Sequence, residues 1–245
     1  MSLPQVPWRV GVVIPALDEV ERITASVTSV RRACAHLPAG VSADIVVVAD
    51  SCTDATASVA CAALAGAGQV VATSARSVGV SRAVGVERIL RRSTHPLSRT
   101  WLANTDADSV VPPTWLSAQL AMADAGAAAV AGIIEVDTFA ELTASAGTVF
   151  HQRYTAQLEG THTHVHGANL GVRADAYIDV GGWAPLVTAE DHDLWHRLKR
   201  RWPLQSVSSI VVTTSGRRIG RAPGGFAVGL DELSDELAVL SEPAA

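Results

Sequence analysis

Cysteine, positive charge and long apolar runs are all scarce in this chain, and each scarcity excludes something. Its three cysteines, Cys34, Cys52 and Cys61, show neither CxxC spacing nor an even count. That argues against a disulfide framework and predicts small buried thiols in a reducing cytoplasm. A net charge of −5 argues against a general nucleic-acid binder, whose phosphate contacts need a basic stripe. The local cluster Arg197, Lys199, Arg200 and Arg201 is expected to solvate a helix end. No apolar stretch approaches the ~18–20 residues of a membrane span, and Met1 to Trp8 has neither a charged leader nor an apolar signal core. The expectation is a soluble cytoplasmic protein, with peripheral membrane contact and a homodimer left open. No internal repeat is evident, and no linker rich in Pro, Gly or Ser divides the 245 residues.

What is present is a hydrophobic share of nearly half, 48% of the chain, enough for a full core. In the first half it alternates between strand and helix patterns. Val10 to Ile14 predicts a short strand ended by Pro15. A helix is expected from about Asp18, with Ile23, Val27, Val30 and Cys34 on one stripe. Ile45 to Val48 is apolar on both faces, as a central parallel strand is. Ser51-Cys52-Thr53-Asp54 has capping-box spacing and is expected to open an Ala-rich helix ending near Gly66. Gln69 to Thr73 and Thr100 to Asn104 read as strands on either side of a helix over Ser81 to Arg92. The second half is less regular: a helix from Pro112-Pro113 through Met122, and strands at Val130 to Val136 and Ile210 to Thr214.

Strands alternating with helices imply right-handed βαβ units and a parallel sheet covered on both faces. The predicted fold class is therefore α/β: a single mixed, mainly parallel sheet with helices on both faces. In such sheets ligands bind at the carboxyl ends of the strands. Asp18, Glu19, Asp50 and the pair Asp106/Asp108 all fall just after predicted strands. Asp106-Ala107-Asp108 is the most informative of these. Residues i and i+2 on an extended backbone face opposite ways, so a turn must follow the strand if both carboxylates are to address one cation. Oxygen donors of this kind suit Mg²⁺ or Mn²⁺, the ions that hold nucleotide phosphates.

In their order, these segments resemble the family-two, A-type inverting glycosyltransferases over roughly residues 10 to 220. Val12-Val13-Ile14-Pro15-Ala16-Leu17-Asp18-Glu19 is similar to the family's first strand and Pro-x-x-Asn-Glu turn, with Asp18 for the commoner Asn. Val47-Val48-Ala49-Asp50-Ser51-Cys52-Thr53-Asp54 resembles Val-Asp-Asp-Gly-Ser-x-Asp, with Ala49 for the first Asp. Gly79-Val80-Ser81-Arg82-Ala83-Val84-Gly85 resembles Gly-x-x-Arg-Asn-x-Gly, with Ala83 for Asn. Asp106-Ala107-Asp108 matches the metal motif. Gly167 to Arg173 and Gly181-Gly182-Trp183 resemble acceptor-side segments, and Glu190-Asp191-His192-Asp193-Leu194 the helix start that carries the base.

The resemblance implies a Rossmann-like nucleotide-sugar half (about 8–109), an acceptor half (about 110–220) and a tail (221–245) in one glycosyltransferase domain. It implies a metal-dependent, inverting transfer from a nucleoside-diphosphate sugar of UDP or GDP type to a hydroxyl acceptor. Asp191 is the implied base and Glu190 its neighbour that orients acceptor or base. Pro15, Glu19, Asp50, Arg82, Asp106, Arg217 and Arg218 are the implied donor contacts. His166, Gly167, Asn169 and Trp183 are the acceptor contacts, and Asp106 and Asp108 the ligands of Mn²⁺ or Mg²⁺. Arginine suits planar, bidentate contact with phosphate. Two other classes stay open: a catalytically silent nucleotide-sugar binder, which Ala49 and Ala83 keep alive, and a sugar-phosphate nucleotidyltransferase. The latter wants a basic Gly-rich loop after the first strand, where this chain has Pro15 to Glu19.

Other features carry plainer expectations. His162, His164 and His166 alternate and would share one face of a strand. They are read as a polar loop rim rather than a zinc site, because no Cys or carboxylate lies at ligand spacing. His192 and His196 invite comparison with a zinc protease, but Asp193 stands where that motif has Glu. Trp195 and Trp202 are expected in the core.

Overall fold

The computed structural model of the chain describes residues 6–139, 146–155, 162 and 164–217. Its strands are β1 (Arg9–Ala16), β2 (Ser42–Asp50), β3 (Gly68–Thr73), β4 (Thr100–Asn104), β5 (Ala129–Val136), β6 (Leu170–Arg173) and β7 (Leu204–Thr214). The helices are α1 (Ile23–Ala35), α2 (Thr56–Leu64), α3 (Val78–Arg91), α4 (Trp115–Asp124), α5 (Ala146–Thr155), α6 (Ala174–Asp179) and α7 (Glu190–Lys199). The seven strands form one sheet in the order β3-β2-β1-β4-β6-β5-β7. Pairing is parallel except at β6, which runs antiparallel to both β4 and β5.

Alternation along the strands decides which helices cover which face. Val10, Val12 and Ile14 of β1 pack with Ile23, Val27 and Val30 of α1, Ala60 and Leu64 of α2 and Leu116 and Leu120 of α4. Val13, Val46 and Val48 point the other way, onto Val86 and Ile89 of α3 and Leu194, Trp195 and Leu198 of α7. Helix α3 lies very close to β1. A β-carbon at Gly85 would collide with the Val13 side chain, so this glycine is there for close approach.

Several boundaries differ from the expectation. β1 continues through Pro15, which pairs with Val48 in register. The β4 pairing on the other flank already ends at Val13 and Asn104, so the missing proline N–H breaks no ladder bond there. Helix α1 begins five residues after Asp18, whose φ of +52° belongs to a tight turn. The Ser51/Asp54 capping box is absent: α2 starts at Thr56, and its N-cap Ala55 makes no side-chain cap. β6, α5 and α6 have no counterpart in the sequence reading, and β7 begins six residues before the expected Ile210. Cys34 is half-buried, its thiol pushed up to about 11 by burial, whereas Cys61 is exposed rather than buried. Arg197 does more than solvate a helix end: it donates to the carbonyls of Val180 and Gly182 and pairs with Asp193. Among the described residues, no helix is long and apolar enough to cross a membrane.

Candidate active site

The acidic residues converge on the carboxyl rim of the sheet. After β1, the Asp18 carboxylate accepts hydrogen bonds from the Thr53 and Asp54 backbone N–H groups at 2.6 and 3.2 Å, which lowers its pKa. This ties the first loop to the second. Asp54 accepts from Val20 N at 3.2 Å and Thr56 N at 2.8 Å, and Cys52 donates to the Ala16 carbonyl at 3.3 Å. Asp18, Cys52 and Asp54 bring three metal-type donor atoms within 4.8 Å of one another. Each is already engaged in holding the two loops together.

After β4 the chain turns at once. Ser109 N donates to the Asp106 carbonyl at 3.1 Å, while Ala107 is buried and both flanking carboxylates face the rim. Neighbouring elements fix the turn: Ser26 of α1 donates to the Asp106 carbonyl at 2.9 Å, and Val110 exchanges backbone hydrogen bonds with Thr213 of β7 at 2.7 and 3.0 Å. Beside Asp108 a cleft of about 400 Å³ opens between Arg22, Asp137 and Thr213.

Two guanidiniums are threaded among the carboxylates. Arg82 of α3 is 2% exposed. It donates from Nη2 to Asp106 at 2.6 Å, from Nε to Glu190 at 3.2 Å and from Nη1 to the Gly167 carbonyl at 3.1 Å. Burial acts to lower its pKa, but Asp106, Glu190 and Asp191 outweigh burial and keep it cationic. The Trp183 ring lies 5.3 Å from its guanidinium, and a β-carbon at Gly167 would strike the same group. Arg217 grips Glu19 with both terminal nitrogens, at 2.8 and 2.6 Å, and reaches Asp108 at 3.0 Å. Asp137 holds the turn before it, accepting from Gly216 N at 3.0 Å.

Burial, followed by the charge of Asp106, pushes Asp108 up to about 6 even with Arg217 alongside. Four carboxylates, Glu19, Asp106, Asp108 and Glu190, share the two guanidiniums, so the cluster as a whole has more acidic than basic groups. Asp106 gives only Oδ1 to Arg82, leaving its second oxygen without a partner among the described residues. Two hard oxygen donors with excess negative charge fit a divalent cation.

The acceptor-side elements meet this cluster through Gly167 and α7. Asp191, the second residue of α7, accepts from Gly167 N at 2.8 Å and from His192 N at 2.8 Å. Glu190 is buried beside Arg82, and burial raises its pKa against the pull of that charge. Burial likewise pushes His166 down to about 4. Its Nε2 lies 3.1 Å from the Tyr154 hydroxyl, which in turn accepts from Ile134 N at 3.0 Å.

The structure brings Glu19, Arg82, Asp106, Asp108, Glu190, Asp191, His166, Gly167 and Arg217 together, and gives the other expected site residues the following contacts. Asp50 is 5% exposed and has both oxygens filled, by Ser51 Oγ, Arg76 N, Ser77 N and Ser81 Oγ. It fixes the entry to α3 instead of offering a free acceptor to a nucleobase. Asn169 is fully buried, bonded to the Ile133 and Ile210 carbonyls and to Trp115 Nε1. Trp183 is 6% exposed and supports Arg82, so neither presents a face to an acceptor. Arg82 spends its donors on Asp106, Glu190 and the Gly167 carbonyl rather than facing solvent as a phosphate contact. Pro15 is half-buried within β1, and Arg218 lies outside the described residues. The histidines form a ring stack instead of a polar rim: Tyr154 lies 4.2 Å from His164, and His164 5.8 Å from His166. Tyr154 and Asp137 escaped sequence reasoning. Asp137 follows a predicted strand and the carboxyl-end rule would have found it, whereas Tyr154 sits on a helix with no apolar period.

The family model for glycosyltransferase-like family 2 matches residues 7–218. The chain belongs to that family. Among curated proteins, no sequence matches the chain. Among solved structures it is similar to S. aureus TarS residues 1–349 in complex with UDP-GlcNAc, with 14% identity and a TM-score of 0.66 over 97% of this chain and 68% of that one. It is similar to the mannosyltransferase PcManGT from Pyrobaculum calidifontis in complex with GDP-Man and Mn²⁺ (16%, 0.65, 98% and 78%). A third is glucosyl-3-phosphoglycerate synthase from Mycobacterium tuberculosis with Mn²⁺, UDP and phosphoglyceric acid (18%, 0.55, 97% and 80%). Against two further TarS structures the chain spans 60% and 36% of their lengths. At these identities the likeness is one of fold, and the family-2 chain has the A-type glycosyltransferase fold.

Proposed function

We propose that this family-2 chain moves a sugar from a UDP- or GDP-type nucleotide sugar to a hydroxyl acceptor, with inversion and with Asp191 as the general base. The observation that carries this reading is Arg82, one buried guanidinium bonded both to Asp106 of the donor-side turn and to Glu190, next to the base. Family membership supports it, as do the UDP-GlcNAc, UDP and GDP-Man complexes of its fold neighbours.

Asp191 suits the task because two backbone N–H groups fix its carboxylate at the first turn of α7, where the helix dipole favours the ionised form. An inverting transfer needs such a group within hydrogen-bond reach of the attacking hydroxyl. Glu190, held by Arg82, sets the pitch of that first turn. Arg217 would exchange Glu19 and Asp108 for diphosphate oxygens as the donor enters, and the freed Glu19 would accept from the nucleoside. Asp106 and Asp108 would hold Mn²⁺ or Mg²⁺, which supplies positive charge to the departing diphosphate. Residues 8–109 form the donor half and 110–220 the acceptor half of one domain working in the cytoplasm. His166 and Gly167 line the acceptor side.

Thermal unfolding with UDP, GDP and their sugars, each with and without Mn²⁺, tests the donor half. Binding at a hundred times Kd adds about 2.7 kcal/mol to stability, so one nucleobase should shift the midpoint selectively and more with Mn²⁺. No shift with any nucleotide would end this reading. Ala49 and Ala83, which replace polar residues of the family pattern, favour a second reading, a silent nucleotide-sugar binder, which predicts the same shift with no turnover of donor.

A further inference from the structure

The Tyr154 hydroxyl has two polar partners that differ in kind. Ile134 N–H donates to it at 3.0 Å, so one lone pair is taken. Its other neighbour, His166 Nε2, stands at 3.1 Å. If His166 carried a proton at Nε2, the phenol would accept twice and its own hydrogen would be left without an acceptor in a buried position. With the phenol donating to Nε2, both the lone pair and the hydrogen of the hydroxyl are used. That choice places the imidazole proton on Nδ1. Tyr154 is itself held by ring stacking, on Phe150 at 5.3 Å and His164 at 4.2 Å, so the hydroxyl has little freedom to turn away.

We propose that Tyr154 is a positioning residue of the acceptor side: its hydroxyl locks His166 as the neutral Nδ1–H tautomer beside Asp191. The wall next to the base then carries no cation. This rests on the transferase reading above for its purpose, but not for its chemistry. An imidazolium at this position would pair with Asp191 and weaken it as a base, and the phenol's hydrogen, pointing at Nε2, opposes that second protonation. The charged and titratable groups facing His166 are Asp191 and His192 from α7, His162 and His164 from its own segment, and Tyr154 from α5. Of these, Asp191 alone favours the imidazolium and the histidines oppose it. Burial acts in the same direction as the lock, holding the ring's pKa near 4.

The test is long-range ¹H–¹⁵N NMR of the histidine-labelled full chain, wild type against Tyr154→Phe, from pH 4 to 8. Phenylalanine keeps the ring stack and removes only the hydroxyl. The expected result is a wild-type His166 protonated at Nδ1 alone throughout pH 5–8, and a variant with mixed tautomers whose ring titrates at least one pH unit higher. A wild-type ring protonated at Nε2, or an identical titration in Tyr154→Phe, would overturn the assignment. Turnover of UDP-glucose and GDP-mannose then tests the purpose. Tyr154→Phe should lose at least tenfold at pH 6 relative to pH 8. An unchanged pH profile would overturn the positioning role while leaving the transferase reading intact. No turnover by wild type with either sugar, with His166 still locked, would sink the transferase reading and the role with it, and the tautomer would stand.

Discussion

At the scale of single residues, Asp191 and Asp108 differ in what surrounds them, and their expected behaviour differs accordingly. Asp191 is held by two backbone N–H groups, so Asp191→Asn keeps the turn and loses the base. Transfer should fall by roughly 10²–10⁴-fold with donor Kd nearly unchanged, which single-turnover kinetics beside calorimetry would read. Normal turnover would refute the base assignment. Asp108 has its pKa raised to about 6, with burial as the main cause. In the unfolded chain it titrates near 3.8, so between those values the folded state binds more protons than the unfolded one. Its contribution therefore favours the fold below pH 4 and is withdrawn as pH rises through 6. Cation binding has the opposite slope, because the ligand must be ionised. Mn²⁺ affinity, followed by EPR, should fall as pH drops through about 6, and Asp108→Asn should remove that slope.

At the scale of elements, the strength of the sequence signal tracks how local its cause is. β1 to β4 and the helices between them follow from apolar period and turn residues, and the five acidic residues Asp18, Glu19, Asp50, Asp106 and Asp108 landed on the rim where the strand-end rule puts them. What was illegible depended on partners far along the chain. Asp50 reads as a free carboxylate until Ser81, 31 residues on, is seen to fill it. Trp183 reads as an acceptor platform until Arg82 lies against it. β6 is four residues long and strand-like only because β4 and β5 flank it. The junction of α3 with α7 shows the same dependence. Arg82→Met leaves Asp106 and Glu190 as unpaired charges and should cost about 3–5 kcal/mol, measured by denaturant unfolding. Arg82→Lys should rescue little of this, since one ammonium cannot reproduce the three-way fork. Gly85→Ala would force a methyl group onto Val13 and should cost about 1–3 kcal/mol.

At the scale of the whole molecule, the site lies across a sheet that reverses direction once, at β6. The parallel strands on either side supply unlike chemistry: turns rich in carboxylates after β1 and β4, and Arg217 just after β7. Arg82 and Arg217 stitch these turns together, so the two halves of the chain share one electrostatic network.

The position of β6 also bears on how the protein is made. Among the described residues β5 makes no ladder with β4, and the two are joined through Leu170–Arg173. A nascent chain emerging from the ribosome can therefore close β1 to β4 early, but β5 must wait some thirty-four residues, from Val136 to Leu170, before its neighbour exists. Until then the edge of β4 and the apolar flank of β5 stand open, the kind of exposure that invites misassociation. Chains arrested before Leu170 should be cut readily by protease in the β5 region, and chains extended past Thr214 should resist.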